Sequence, residues 1–440
     1  MNDLGFKQLN LIKKVKKYFI KLNLKKIDVS KSSFCYIPSY GLNPGNTKLL
    51  QWIDKKLINL QNFKIIFYHI LAITSYHNYE MLNFKQKNYK CLFITWGKKK
   101  NFKNKIFADS LLNVDSSIDK KSLFLVIYLE KNIPKFVPKN VILIHKKNYS
   151  RSLVFFFKEL FKNLIRYKFN LKKFIHYFSA QTIFAKKINE YTNIILQNNE
   201  IDKVILPYEG QPFQNFVLSK LDKKIKTYGI IHSILPALPT NLIKRKGSPK
   251  FIFVSGIEQK KVLINFLGWN RKQIKINKSL RFKKDINKNI NGSIFFPINL
   301  KNINKITLNF NKVLDYFSTH YFPLLKIRNH PAMIKSQIHL KLKKNFEKLI
   351  EKKKYNINKN SNRNLCIFIG PTSSVIEYLA KKFEIIHIPI QPILDIYSKQ
   401  IYHGLTPVKK KNFFIYKKLK RNNIIQFGNN NYNFKNLKII

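Results

Sequence analysis

Residues 365–382 read LCIFIGPTSSVIEYLAKK. The apolar run 366–369 is a short buried strand by its length and composition. Gly370 and Pro371 break it. Thr372, Ser373 and Ser374 stand where a helix starts, and Val375, Tyr378 and Leu379 follow at helical spacing. A strand, a Gly-Pro turn, hydroxyls and a helix start together suit an anion. The free N–H groups of a first turn and the helix dipole both favour negative charge, and serine hydroxyls add donors. The plainer use of the same residues is a capping box between Ser374 and Glu377, with no ligand.

A second strand end lies in residues 322–332, FPLLKIRNHPA. The strand-like run 324–327 ends in Arg328, Asn329, His330 and Pro331. That places a cation and an imidazole at a strand's carboxyl end, where open α/β sheets bind their ligands. A strand ending in His-Pro, then about forty residues on a strand ending in Ser-Ser and a helix, resembles the C-terminal half of GT-B glycosyltransferases. The pattern is most similar to the "HP" and "SS" motifs of bacterial sialyltransferases, polysialyltransferases and teichoic-acid glycerophosphotransferases. The resemblance implies an α/β protein of two Rossmann-like domains facing across a cleft. It assigns the donor phosphate to Arg328, His330, Pro331, Thr372, Ser373 and Ser374. Glu377 either reaches the ribose or only caps its helix.

The third motif is residues 206–216, LPYEGQPFQNF, after the strand-like run 203–206. Glu209 and Gly210 sit at a strand's carboxyl end between two prolines, ahead of a helix carrying Phe213, Phe216, Val217 and Leu221. A carboxylate there can take the proton of an acceptor hydroxyl as it attacks a sugar carbon. Its structural use is to complement a helix dipole. The bacterial sialyltransferases carry an acidic-acidic-Gly motif at the corresponding place. Here Tyr208 replaces the first acid, and Glu209, Gln211 and Pro212 resemble equally well the Glu-x-Gln-Pro turn of a surface-carbohydrate family. Residues 226–233, KTYGIIHS, form the next strand and end in His232, a second candidate base or an acceptor-orienting group. The segment 236–249, rich in Pro, Lys and Gly, is expected to border the cleft and move. Arg281 closes the first half, and related enzymes can face such an arginine toward the phosphates.

Apolar runs alternate with helical patterns along the first half: strands at 91–95, 122–129 and 141–144, one helix over 153–177, a second over 182–197. That alternation means a parallel sheet covered on both faces. The polar stretch 285–292 marks a domain boundary. The expected organisation is residues 1–285 as an acceptor domain, 293–390 as a nucleotide-donor domain, and 391–440 as a tail partly crossing back. Strands at 293–296 and 384–388 and a helix over 303–320 belong to the second domain. The Lys/Asn-rich stretch 352–364 is a surface loop.

The 440 residues carry 83 Lys and Arg against 22 Asp and Glu, a net charge of +61. Clustered basic residues are the usual nucleic-acid footprint. Here the excess is nearly all Lys spread along the chain, and Arg, the better fork for phosphates and base edges, is rare. Together with abundant Asn, Ile and Phe this fits compositional drift better than a specific nucleic-acid partner. Attraction to an anionic membrane surface remains physically reasonable. Three widely spaced cysteines, Cys35, Cys91 and Cys366, suit a reducing, cytoplasmic setting and make no zinc site. No apolar run approaches the ~20 residues of a membrane span. The N-terminal stretch reads as an amphipathic helix with a basic face, docked on the surface, rather than a signal peptide.

P-loop, dinucleotide and D-x-D patterns are absent, so no metal and no cofactor beyond a nucleotide-sugar substrate is expected. The combined expectation is an inverting, metal-independent transferase. It moves a sugar, with a CMP-activated ulosonic acid the most consistent donor, onto a surface polysaccharide or lipid-linked glycan. Two other classes remain: a basic RNA- or membrane-binding protein with no cleft joining Glu209, His330 and Ser374, and a GT-B epimerase or degenerate scaffold.

Overall fold

The structure is a computed structural model. It describes residues 2–37, 43–55, 59–84, 88–148, 150–283, 290–316, 324–330, 333–353, 364–417, 419 and 424–428, with backbone only for residues 2 and 59–62. The chain opens with α1 (Asn2–Leu24), α2 (Pro44–Ile53) and α3 (Asn59–Ile73), then β1 (Tyr79–Leu82) and β2 (Cys91–Gly97). A small antiparallel excursion follows, β3 (Phe102–Lys103), β4 (Ile106–Asp109) and β5 (Val114–Asp115). Then come β6 (Ser122–Tyr128), β7 (Val141–Lys146), α4 (Leu153–Arg166), α5 (Leu171–Tyr177), α6 (Ala180–Gln197) and β8 (Lys203–Pro207). The first half closes with α7 (Pro212–Leu218), β9 (Lys226–Ile230), β10 (Phe251–Val254), α8 (Ile257–Leu267) and β11 (Ile274–Ile276).

These strands make one sheet in the order β1-β7-β6-β2-β8-β9-β10-β11, parallel except for β1. Starting from β2, the chain builds outward to β7, then returns to the other side of β2 with β8. This is the doubly wound Rossmann order. All of β6 and nearly all of β2 and β7 are buried, as strands covered on both faces must be.

The second sheet contains β12 (Ser293–Phe295), β13 (Lys326–Arg328), β14 (Leu365–Ile369), β15 (Glu384–Ile388), β16 (Pro407–Lys409) and β17 (Phe414–Tyr416). Its helices are α9 (Ile303–Tyr316), α10 (Gln337–Lys352), α11 (Ser374–Ala380) and α12 (Pro392–Asp395). The order is β13-β12-β14-β15-β17-β16, parallel from β13 to β15. Two Rossmann-like sheets therefore face one another, the GT-B arrangement.

One apolar cluster runs from α1 and the first sheet through to Cys366, Phe368, Val375 and Ile385 of the second half. α1 is docked: Ile12, Val15, Phe19 and Leu22 are buried, and Gln8 Nε2 donates to the carbonyls of Ile393 (3.0 Å) and Ile396 (2.8 Å). Tyr397 and Tyr402 donate across the halves to the carbonyls of Leu235 and Pro236. Residues 424–428 return to the first sheet, where Ser279 N donates to the Gln426 carbonyl at 2.7 Å. The three cysteines are free and buried.

Two expectations need correction, and one helix is new. The single helix over 153–177 is two, α4 and α5. Lys168 and Phe169 take left-handed backbone, and Asn170 caps the second helix through Lys173 N. No Gly or Pro marks that break. The segment 236–249 borders the cleft as expected, with Pro236, Ala237, Asn241 and Leu242 lining it, but it is packed rather than open. Ala237 to Leu242 are buried, and Thr240 Oγ1 donates to the Ile37 carbonyl at 2.8 Å. Helix α10 lies in a stretch to which the sequence reading assigns no element. Residues 284–289, 317–320, 331 and 354–363, which hold parts of the expected boundary, the end of the expected helix, Pro331 and the Lys/Asn-rich loop, lie outside the described residues.

Candidate functional site

In a doubly wound sheet, the strands on either side of the reversal point diverge at their carboxyl ends and leave a crevice. In the first sheet that point lies between β2 and β8, and Tyr208 and Glu209 follow β8. In the second it lies between β12 and β14, followed by Pro297 and by Pro371 to Ser374. A cavity of about 300 Å³ between the sheets is lined from both reversal points. Glu209, His232, Asn241 and Arg281 come from the first half. His330, Thr372, Ser373, Ser374, Asp395 and Tyr397 come from the second. Two motifs more than a hundred residues apart in sequence thus share one space.

The Glu209 wall is tightly specified. Gln211 Nε2 donates to Glu209 Oε2 at 2.7 Å. Gln214 Oε1 accepts from the backbone N–H of both Glu209 and Gln211, each at 3.0 Å, and Asn241 Nδ2 donates to the Glu209 carbonyl at 2.7 Å. Glu209 Oε1 lies 3.6 Å from His232 Nε2. His232 is buried, and its Nδ1 has no hydrogen-bond partner among the described residues. Burial, assisted by Arg281 and opposed by Glu209, keeps this imidazole below its ordinary pKa. A neutral ring beside a carboxylate leaves the carboxylate free to accept a proton. Gly210 and Gln211 do not line the cavity. Gly210 shapes the turn and Gln211 holds the carboxylate.

On the opposite wall, His387 Nε2 donates to the Gly370 carbonyl at 2.7 Å and pins the Gly-Pro turn. Thr372 Oγ1 accepts from Ser374 N at 3.2 Å. No capping box forms: Ser373 is the N-cap and makes no side-chain cap bond, while Glu377 pairs with Lys381 at 2.8 Å, one turn on. The Ser373 and Ser374 hydroxyls make no hydrogen bond to any described residue. His330, from the same half, lines the cavity with them. Its pKa is lowered by burial, then by His339 and Arg281, so near neutral pH it presents a neutral imidazole able to donate one N–H.

Two expected donor residues lie elsewhere. Arg328 is paired in register with Phe295, and its Nε donates to Ser293 Oγ at 2.8 Å. It does not line the cavity, because the pleat turns it away from the cleft. Glu377 does not line it either; its pairing with Lys381 keeps it on the helix flank. The arginine lining the cavity is Arg281, from the first half. Among the described residues, no group of three or more His, Cys, Asp or Glu side chains could hold a metal ion.

Sequence reading missed Asp395. It lines the cavity and is 2% exposed, with Oδ2 accepting from the N–H of Ile390 and Gln391 at 2.8 Å each. An Asp in the first turn of a Pro-started helix looks like a capping residue, which it also is. The available signal was its place after the strand next to β14. Burial pushes its carboxyl up to about 7, against the two backbone donors. The folded state therefore holds a proton that the unfolded chain releases, and stability falls as pH rises from about 4 to about 7. Asp395→Asn keeps an acceptor for both N–H groups. It is expected to be more stable than the parent by roughly 2–4 kcal/mol above that window, with the gain vanishing toward its acid end. Melting curves across that range check this, and an Asn variant less stable at alkaline pH would show an ionised, well-held carboxylate instead.

Fold and cleft define a two-domain α/β protein of the GT-B arrangement. No protein-family model matches the sequence, and no curated protein matches it. Among solved structures, UDP-GlcNAc 2-epimerase from Neisseria meningitidis bound to UDP-GlcNAc matches with a TM-score of 0.37 and 10% identity, over 72% of this chain and 85% of that one. The chemistry of the site rests on this chain's own side chains.

Proposed function

We propose that this protein is an inverting glycosyltransferase. It passes a sugar from a nucleotide-activated donor, with a CMP-linked ulosonic acid the favoured case, to a hydroxyl of a surface polysaccharide or lipid-linked glycan. The supporting observation is the single cavity that Glu209, His232, His330, Ser373 and Ser374 line together. Glu209 accepts the proton of the acceptor hydroxyl, with Gln211 orienting it. The hydroxyl oxygen forms its bond to the anomeric carbon as the bond to the donor phosphate breaks on the opposite face. The departing phosphate carries the released charge, and the His330 N–H, the Ser373 and Ser374 hydroxyls and Arg281 stabilise it. The hydroxyls and the His330 imidazole come from the second half, and the base and Arg281 from the first. A purely basic binding protein has no need of that division.

Thermal-shift measurement with CMP, CDP, UDP and GDP tests the donor wall, since a ligand bound only by the folded state raises its melting temperature. At least one nucleotide is expected to do so. His330→Ala and Ser374→Ala should each weaken that nucleotide by about tenfold or more, the usual loss for a hydrogen bond to a charged group. Unchanged affinity in both variants would end the phosphate assignment. Nucleotide release in step with a new glycosidic product separates a transferase from an epimerase, which returns an altered donor.

A further inference from the structure

Helix α4 carries apolar side chains on its packed side and a second apolar stripe on its outer side. Leu153, Phe157, Phe161 and Ile165 recur every fourth residue on one face and are all exposed, from 49% to 68%. The inward side carries Phe155, Phe156, Leu160 and Leu164, half-buried, together with Asn163, fully buried. Asn163 donates to the Glu159 carbonyl at 2.6 Å and accepts from Lys186 Nζ at 2.8 Å. The packed phenylalanines and the satisfied Asn163 amide fix this orientation, so the second apolar stripe faces outward.

The stripe is not isolated. α3 packs against α4, and Ser152 N donates to the Thr74 carbonyl at 2.8 Å where the two helices meet. α3 leaves Phe63 and Phe67 exposed, at 76% and 64%. Phe169 and Leu171, at the start of α5, are exposed as well. Three neighbouring helices thus present uncovered apolar side chains, which marks an interaction surface rather than scattered exposure.

Charge identifies the partner. Lys64, Lys158, Lys162, Lys168 and Lys172 are exposed on the same helices and the turn between α4 and α5. Across the sequences of α3, α4 and α5 the one acidic residue is Glu159, whose side chain is only 14% exposed. A second copy of this face would bring lysines against lysines. Aromatic and aliphatic groups within a purely cationic surround match the boundary of an anionic bilayer. α4 also follows β7, three strand spacings from β8, or roughly 15 Å at ~4.8 Å each. The face therefore begins on the same sheet edge as Glu209.

We propose that the outward face of α3, α4 and the start of α5 seats this protein on an anionic lipid bilayer. The Phe and Leu side chains enter the acyl boundary while the lysines meet the headgroups. This is independent of the chemistry in the cleft. Vesicles of phosphatidylcholine, with and without phosphatidylglycerol, test it by co-sedimentation of the full chain. Phe157→Ser/Phe161→Ser/Ile165→Ser leaves the net charge untouched and removes exposed groups, so its melting temperature should stay near the parent's. Its partition onto the anionic vesicles is expected to fall by about tenfold or more. Lys409→Ser/Lys410→Ser, at the edge of the second sheet, should partition like the parent. Equal partition of parent and triple variant would mean diffuse charge attraction and overturn the proposal. So would a parent that binds no vesicles, including one that proves dimeric through this face by sedimentation velocity.

Discussion

Glu209→Gln is expected to lower turnover by roughly 10²–10⁴-fold, the range for losing a positioned general base, while nucleotide affinity holds. The substitution keeps the size of the side chain and an oxygen able to accept the 2.7 Å bond from Gln211. It leaves untouched the bonds from the Glu209 N–H to Gln214 and from Asn241 to the Glu209 carbonyl. Only the capacity to take a proton goes. The measurement is nucleotide release from an activated sugar, run beside thermal shifts with the free nucleotide. Turnover within a few-fold of the parent would remove Glu209 as base. His232→Asn is the companion variant. His232 lies 3.6 Å from the carboxylate, and a collapse there with Glu209→Gln still active would transfer the role to the imidazole.

Gly210→Ala is expected to be the most destabilising single change at the site. Gly210 has φ +70°, a left-handed conformation costing an L-residue roughly 1–2 kcal/mol. A Cβ there would also stand well inside contact distance of the Asn241 carbonyl oxygen. That oxygen cannot retreat freely. It accepts from Arg245 at 2.9 Å, and the same arginine donates to the Gly210 carbonyl at 2.7 Å. The combined loss should be about 3 kcal/mol or more, with Glu209 displaced and turnover lost. Gly268→Ala is the internal control. Its φ is +80°, but nothing lies within 4 Å of the added carbon, so it should cost only the roughly 1–2 kcal/mol of the backbone conformation. Chemical denaturation of both proteins distinguishes the terms, and equal losses would show that backbone conformation, not the close approach to Asn241, requires glycine at 210.

The local pieces of the site were readable because they are short-range. Cys366 to Ile369 is buried strand, Gly370 and Pro371 end it, and Ser374 opens a helix, all from apolar runs and turn residues. Glu209 at a strand end and His232 at the next followed from the same reasoning, and both line the cavity. Arg328 was misplaced for an equally local reason. A three-residue strand gives no alternation long enough to tell which face each side chain takes, and the pairing with Phe295 decided it. Asp395 stands as an isolated acid in the sequence, with no second acid beside it, and only the fold places it at the cavity.

By itself the sequence determined where strands end and which polar groups stand there, since those are properties of a few adjacent residues. Which strand ends meet was decided only in three dimensions. The order β7-β6-β2-β8 in one sheet and β13-β12-β14 in the other sets the reversal points. The core shared by α1, the first sheet and β14 then brings the two sheets together. That choice is made by burial summed over residues hundreds of positions apart, and no local stretch records it. The outward stripe of α4 has the same origin: its periodicity was in the sequence, but the side facing inward was chosen by the packing of Phe155 and Phe156 and by Asn163 meeting Lys186.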